Sequence, residues 1–146
     1  MSMNLFFRAF SQPEIEAMAR NHALIEQWVW EEKKYSASTD IETAWDVLNN
    51  ILDGAGFSGG QDIDDTLSNG CALISADEIK AHAQILSGWT HEQVLAGLHG
   101  LDEAADLYHL EYYLEEEEDL LEQFDKLAAF YQEAAKQGLG AVSYAA

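Results

Sequence analysis

Apolar residues crowd the start of the chain: Leu5, Phe6, Phe7, Ala9 and Phe10 follow one another with only Arg8 between them. The run is aromatic-rich and too short for a helix, and it predicts a strand over Met3–Phe10. Ser11 and Glu14 then have capping-box spacing, the hydroxyl accepting from the third helical amide while the carboxylate reaches back. Pro13 suits a first turn, where an amide has no intrahelical acceptor. The helix opened there runs to about Arg20. Asn21 is placed to cap a second helix, with Ala23, Leu24, Gln27, Trp28 and Glu31 on one face. Ser36–Thr39 reads as a polar connector.

Thr39 and Glu42 repeat the capping-box spacing. After them Ile41, Ala44, Trp45, Leu48 and Leu52 recur at helical intervals, and Gly54 supplies the stop. Gly54–Gly70 is rich in glycine and aspartate and reads as a long loop with one short helical turn around Asp64–Ser68. Unstructured segments of that length in a small domain are usually functional or mobile. Cys71–Ile74 has the pattern of a short strand. Ser75 with Glu78 and Thr90 with Gln93 open two more helices, the first ending before Gly88, the second burying Val94, Leu95 and Leu98. Asp102 is placed to cap a short helix through Leu110. The last long helix begins near Glu115 and ends at Gly138, with Leu120, Phe124, Leu127, Tyr131 and Ala135 as its stripe. A strand over Gly140–Tyr144 follows. The pattern as a whole predicts an α+β fold: a single helix-rich domain over residues 1–146 with few strands.

Charge changes the functional picture more than the fold. The 146 residues carry 7 basic and 27 acidic side chains, a net charge of −20, yet 48% are hydrophobic, enough for a packed core. Seven cations cannot build a phosphate-binding surface, which argues against nucleic acid and against anionic membranes. Half of the net charge lies in residues 101–146, where Glu115, Glu116, Glu117, Glu118 and Asp119 are consecutive. That run suits the positive end of a helix dipole, and it also suits docking of a basic protein partner. No apolar run approaches the roughly 18–20 residues of a membrane span. Arg8 interrupts the apolar start and no basic region precedes it, unlike a signal peptide. Cys71 is the lone cysteine, so no intrachain disulfide exists, which fits a reducing, cytoplasmic location.

Motifs for chemistry are weak. Gly54–Gly59 matches G-x-G-x-x-G, but it follows a helix and leads into Asp62, Asp64 and Asp65, which would repel a pyrophosphate. Gly56–Gly60 matches G-x-S-x-G without the strand-to-helix turn that a nucleophile elbow needs. The three aspartates do not make a calcium loop, because the positions requiring Gly and Glu are Leu67 and Leu73. His22, His82, His91, His99 and His109 show no helical ligand spacing. His82, His91 and His99 could still meet from separate helices beside the 54–70 loop and form a small-molecule or enzymatic site. Trp28, Trp30, Trp45, Trp89, Tyr112 and Tyr113 read as core and rim aromatics, and Cys71 as a small buried residue. These patterns designate no catalytic residue, metal ligand or cofactor.

The start MSMNLFFRAF, the segment DIETAWDVLNNILDG, the tripeptide-bearing TLSNG and the closing LLEQFDKLAAFYQEAAKQGLGAVSYAA together resemble the YfbM-like family of bacterial proteins, a domain of unknown function. The resemblance spans most of the chain. It implies an α+β domain whose two terminal strands share one small helix-packed sheet. It also implies a longer segment before the Ser75 helix than this chain has. It brings no catalytic residues. With no reaction legible, the leading expectation is a non-catalytic binding protein for a basic macromolecule, of inhibitor or immunity type. The alternative is the small-molecule site near the 54–70 loop.

Overall fold

The computed structural model describes residues 2–102 and 104–146. The aromatic run near the N-terminus becomes an inner strand covered on both faces, which explains why it is almost continuously apolar. Strands β1 (Leu5–Ser11), β2 (Ala37–Asp40), β3 (Gln61–Ile63), β4 (Cys71–Ile74) and β5 (Leu139–Ala145) form an antiparallel sheet in the order β2-β1-β5-β4-β3. The two terminal strands pair directly, from Leu5 opposite Ala145 to Ser11 opposite Leu139.

Side chains alternate between the two faces. Phe7, Ala9, Ile74 and Ala141 point to the larger core, and Phe10, Leu73, Val142 and Tyr144 to the smaller one. Helices α1 (Gln12–Arg20) and α2 (Ala23–Val29) cover the smaller core with Ile15, Met18, Ile25 and Val29. The other face carries α3 (Trp45–Ile51), α4 (Ala76–Leu86), α5 (His91–His99), α6 (Leu110–Glu115) and α7 (Glu117–Lys136). Arg8 lies on the α1–α2 side. Its Nε donates to the Tyr144 hydroxyl at 2.7 Å, and its guanidinium lies 4.3 Å from the Tyr35 ring centre.

Three capping boxes form as the spacing predicts, at Ser11, Ser75 and Thr90, each with both reciprocal hydrogen bonds. The fourth does not. Thr39 belongs to β2, because pairing with Phe7 claims its backbone, so most of the expected connector, from Ala37 on, is an edge strand. Glu42 instead adopts φ +50°, and α3 starts only at Trp45. Helix α2 buries Ile25 and Val29 and leaves Ala23 exposed, a different face from the expected one. Asn21 still accepts from the Ala23 amide at 3.2 Å, one residue outside the cap position.

The 54–70 segment is not one long loop. It contains β3, which pairs with β4, and residues 64–69 form bends and a turn rather than helix. Asp102 accepts from the Ala104 amide at 2.9 Å in a turn, and the helix expected there starts later, at Leu110. Part of that expectation falls on residue 103, outside the described residues. The Glu115–Asp119 run is not a single helix start. Glu115 ends α6, Glu116 is the junction with φ −114° and ψ 66°, and only Glu117, Glu118 and Asp119 occupy the first turn of α7. Ala135 is half-buried, and Gln123, Phe130 and Ala134 join the buried stripe of α7. Among the described residues no helix is long and apolar enough to cross a membrane.

Candidate functional site

Two adjoining depressions flank α6, and His109 lines both. His109 takes the left-handed conformation at φ +58° and so turns the chain sharply into α6. On one side is an open groove of about 670 Å³. Leu107, Leu110 and Leu114 give it apolar walls, and Asp106, Glu111 and Glu115 give it negative charge. Leu107 and Leu114 are half-buried and Leu110 is buried, whereas the three acids are exposed.

The five consecutive acids do not act alike. Glu117 binds Nε2 of His99, and Asp119 accepts hydrogen bonds from Tyr112 and Gln123. Glu115, Glu116 and Glu118 are exposed and form no ion pair among the described residues. Of these three only Glu115 lines the groove.

On the other side of His109 is a polar pocket of about 330 Å³, lined by Glu42, Thr43, Tyr112, Tyr113 and Asp119 together with Ser2 and Asn4. Behind it lies Gln123, fully buried. Its Nε2 donates to Glu42 Oε2 at 2.5 Å and to Asp119 Oδ1 at 2.8 Å, so one amide nitrogen holds two carboxylates. Its Oε1 is buried without a hydrogen-bond partner, a deficit native proteins seldom carry. Flipping the amide would aim Oε1 at two carboxylates, so the orientation follows from electrostatics.

The tyrosines complete the pocket. Tyr112 donates to Asp119 Oδ2 at 2.5 Å, and that bond, with the surrounding acids, pushes its hydroxyl up to about 12. Tyr113 shares a 2.8 Å bond with Thr43 Oγ1, and burial raises its pKa. Lys126 Nζ lies 3.8 Å from Glu42 Oε2 and 3.7 Å from Asp40 Oδ1. The sequence signal for this site is one polar residue, Gln123, in an otherwise apolar stripe between Leu120 and Leu127. The other groups converge from segments far apart in sequence.

The histidines proposed for a joint site stay apart. His82 Nδ1 accepts from the Gly56 amide at 2.9 Å, and its Nε2 donates to the Ser58 carbonyl at 2.8 Å. These partners require the neutral ring with the proton on Nε2, and they leave no ring nitrogen to activate Ser58. His91 binds Asp125 at 2.7 Å, and His99 binds Glu117. Both pairs join α5 to α7, eight residues apart on each helix and in opposite chain directions, so they lace two antiparallel helices. His82, His91 and His99 line neither the groove nor the polar pocket.

The other motif residues are structural too. His22 binds Asp65 at 2.7 Å. Cys71 opens β4, half-buried, and burial beside Asp65 and Asp62 pushes its thiol up to about 11, which suppresses the thiolate needed for nucleophilic chemistry. Trp30 and Tyr112 are exposed, and Tyr113 is in the core. Among the described residues no group of three acidic, histidine or cysteine side chains has metal-binding geometry.

A family model described as a domain of unknown function, DUF1877, matches residues 1–144. The crystal structure of YfbM from Escherichia coli, a protein of unknown function, superposes with a TM-score of 0.64 at 14% identity over 100% of both chains. At that identity the likeness establishes the fold. No curated protein matches the sequence.

Proposed function

The chain belongs to the DUF1877 family, and within it we propose that this member is a non-catalytic binding protein that docks a basic macromolecule on the α6–α7 face. The groove carries the reading: apolar walls of Leu107, Leu110 and Leu114 lie beneath exposed Asp106, Glu111 and Glu115. Apolar area holds a complex together, while a charged rim accelerates encounter and selects the sign of the partner. Exposed Glu116 and Glu118 follow Glu115 in the chain and add negative charge. The net charge of −20 adds a long-range field of the same sign.

The test starts with affinity capture from native cytoplasm at low and at moderate salt. Binding kinetics of any captured basic protein are then compared between wild type and the triple variant Glu115→Lys, Glu116→Lys, Glu118→Lys. Glu117 and Asp119 are left intact because they hold His99, Tyr112 and Gln123. The association rate should fall by at least about tenfold in the variant and drop with salt in the wild type. Enrichment of no basic protein, or an unchanged association rate, refutes the reading.

A further inference from the structure

We infer that Arg8, with Trp30 and Tyr35 beside it, docks a peptide segment of a partner protein that carries a carboxylate and, two residues along, an apolar ring. The site lies on the α1–α2 side of the sheet, the face away from α6 and α7. Arg8 stands half-buried on β1. Its guanidinium carbon lies 4.3 Å from the Tyr35 ring centre, 5.8 Å from that of Tyr144 and 6.0 Å from that of Trp30. Nε is spent on the Tyr144 hydroxyl, and the two terminal nitrogens have no acceptor among the described residues. Among those residues Gln123 Oε1 is the one enclosed side-chain polar atom without a partner, so the terminal nitrogens of Arg8 reach solvent.

An unpaired guanidinium stands out in a chain where acids outnumber bases 27 to 7. The carboxylates around it are committed elsewhere or stand off. Glu14 holds Lys34 at 2.9 Å. Asp40, opposite Phe6 on β2, accepts from the Glu42 amide and lies 3.7 Å from Lys126. Glu31 and Glu32, in the connection from α2 to β2, are exposed and form no ion pair among the described residues. Nor do Asp62 and Asp64, which line a depression that Tyr144 shares. Exposed Lys33, in the same connection as Tyr35, adds positive charge and is likewise unpaired among the described residues.

A guanidinium lying against an aromatic ring keeps its N–H edge open, and two parallel N–H groups match the two oxygens of one carboxylate. Trp30 supplies the second contact. At 57% exposure it is the most exposed large hydrophobic among the described residues, and its ring meets Tyr144 edge-on. Arg, Trp and Tyr are the residues that concentrate binding energy in protein interfaces. The surface is open, which suits a segment of a protein better than a small molecule, whose sites enclose most of the ligand. Side chains two residues apart in an extended peptide lie on one side, about 6.6 Å apart. That spacing matches the 6.0 Å from the guanidinium carbon to the Trp30 ring centre.

The experiment titrates terminally blocked Asp-Ala-Phe into the whole chain and follows two-dimensional NMR. Salt of about 0.15 M screens the opposing field of distant acids beyond about 8 Å. Saturable shifts are expected at the Trp30 indole N–H and the Arg8 Nε–H. Blocked Asn-Ala-Phe, which removes the charge at constant shape, should bind at least about tenfold more weakly. Blocked Asp-Ala-Ala, which removes the ring, should bind about threefold more weakly. Arg8→Lys keeps the charge and loses the fork, and should weaken Asp-Ala-Phe by at least about threefold. Trp30→Ala, at an exposed position, tests the site without disturbing the core. It should bring Asp-Ala-Phe down to the affinity of Asp-Ala-Ala and leave Asp-Ala-Ala unchanged.

Unsaturable shifts, equal binding of Asn-Ala-Phe, or undiminished binding of Asp-Ala-Phe to Trp30→Ala would each overturn the inference. Tighter saturation by benzoate would mean a free small molecule, and tighter saturation by inorganic phosphate a different anion, and either also overturns it. The inference stands apart from the α6–α7 docking reading. The variant Glu115→Lys, Glu116→Lys, Glu118→Lys should still bind Asp-Ala-Phe.

Discussion

Glu78 and His82 stand one turn apart on α4 and between them hold the segment that follows α3. Glu78 accepts from the Gly60 amide at 2.6 Å, while His82 accepts from the Gly56 amide and donates to the Ser58 carbonyl. The Tyr131 hydroxyl, in the core, completes the clamp by donating to the Gly56 carbonyl at 2.7 Å. Gly56 can lie there because it takes φ +90°, where a side chain would be strained. Both backbone polar groups of buried Gly56 are thus satisfied by side chains from two helices.

Replacing His82 with Phe keeps a ring against Tyr131 and removes both bonds, stranding the buried Gly56 amide. The expected loss is about 2 kcal/mol, within the range for an unsatisfied buried donor. Urea unfolding should show a lower midpoint with an unchanged slope. An unchanged midpoint would mean that the clamp contributes nothing to stability.

Burial alone would raise the Glu78 carboxyl, but hydrogen bonds from Ser75 and Gly60 outweigh it and hold the pKa below 4.5. Glu14 is lowered in the same way, against its own burial, by Lys34 and Ser11. A depressed acid stabilises the fold fully above its unfolded pKa and loses that contribution as pH falls through the folded value. Stability measured from about pH 6 to about pH 3 should decline on the acid side, and less steeply in Glu78→Gln. An identical acid limb in the variant would remove Glu78 as a cause.

Tyr112 carries the opposite sign. Its neutral form is favoured by the bond to Asp119, so the stabilisation is present below 10 and is lost as pH rises from there through about 12. In an ultraviolet titration Asp119→Asn should bring one late-ionising tyrosine back toward 10. If no tyrosine moves, the bond from Tyr112 to Asp119 is absent in solution.

Gly97→Ala sets two effects against each other. Alanine gains about 1 kcal/mol in a helix interior. Its Cβ would lie 2.7 Å from Ile51 Cγ2, a branch methyl on buried α3 that cannot swing away. Overpacking costs about 1–3 kcal/mol, so the variant should be destabilised. Adding Ile51→Ala should recover part of the loss, seen as non-additivity in thermal or urea unfolding.

What the sequence disclosed was decided locally. Ser11, Ser75 and Thr90 each reach an amide three residues away, so spacing alone finds their caps. Thr39 and Glu42 have the same spacing, but the exposed edge of β1 captured Thr39 into the sheet. Helix α2 shows the same limit: Leu24 and Trp28 are as apolar as Ile25 and Val29, and only the position of the sheet decides which pair is buried. The acidic run was visible, but not its break at Glu116 or the capture of Glu117 and Asp119 by His99, Tyr112 and Gln123. The polar pocket was hidden for that reason, since its carboxylates come from residues 42 and 119.

The order of the sheet also governs how it can be made. β5, the last of the five strands in chain order, lies between β1 and β4, and backbone bonds just beyond its end join Ala146 to Asn4. Without β5 the sheet divides into two ribbons, β2–β1 and β3–β4, each with an open edge. The two cores on opposite faces of β5 therefore depend on the same strand. A chain arrested before Leu139 would leave both ribbons as templates for pairing with other chains.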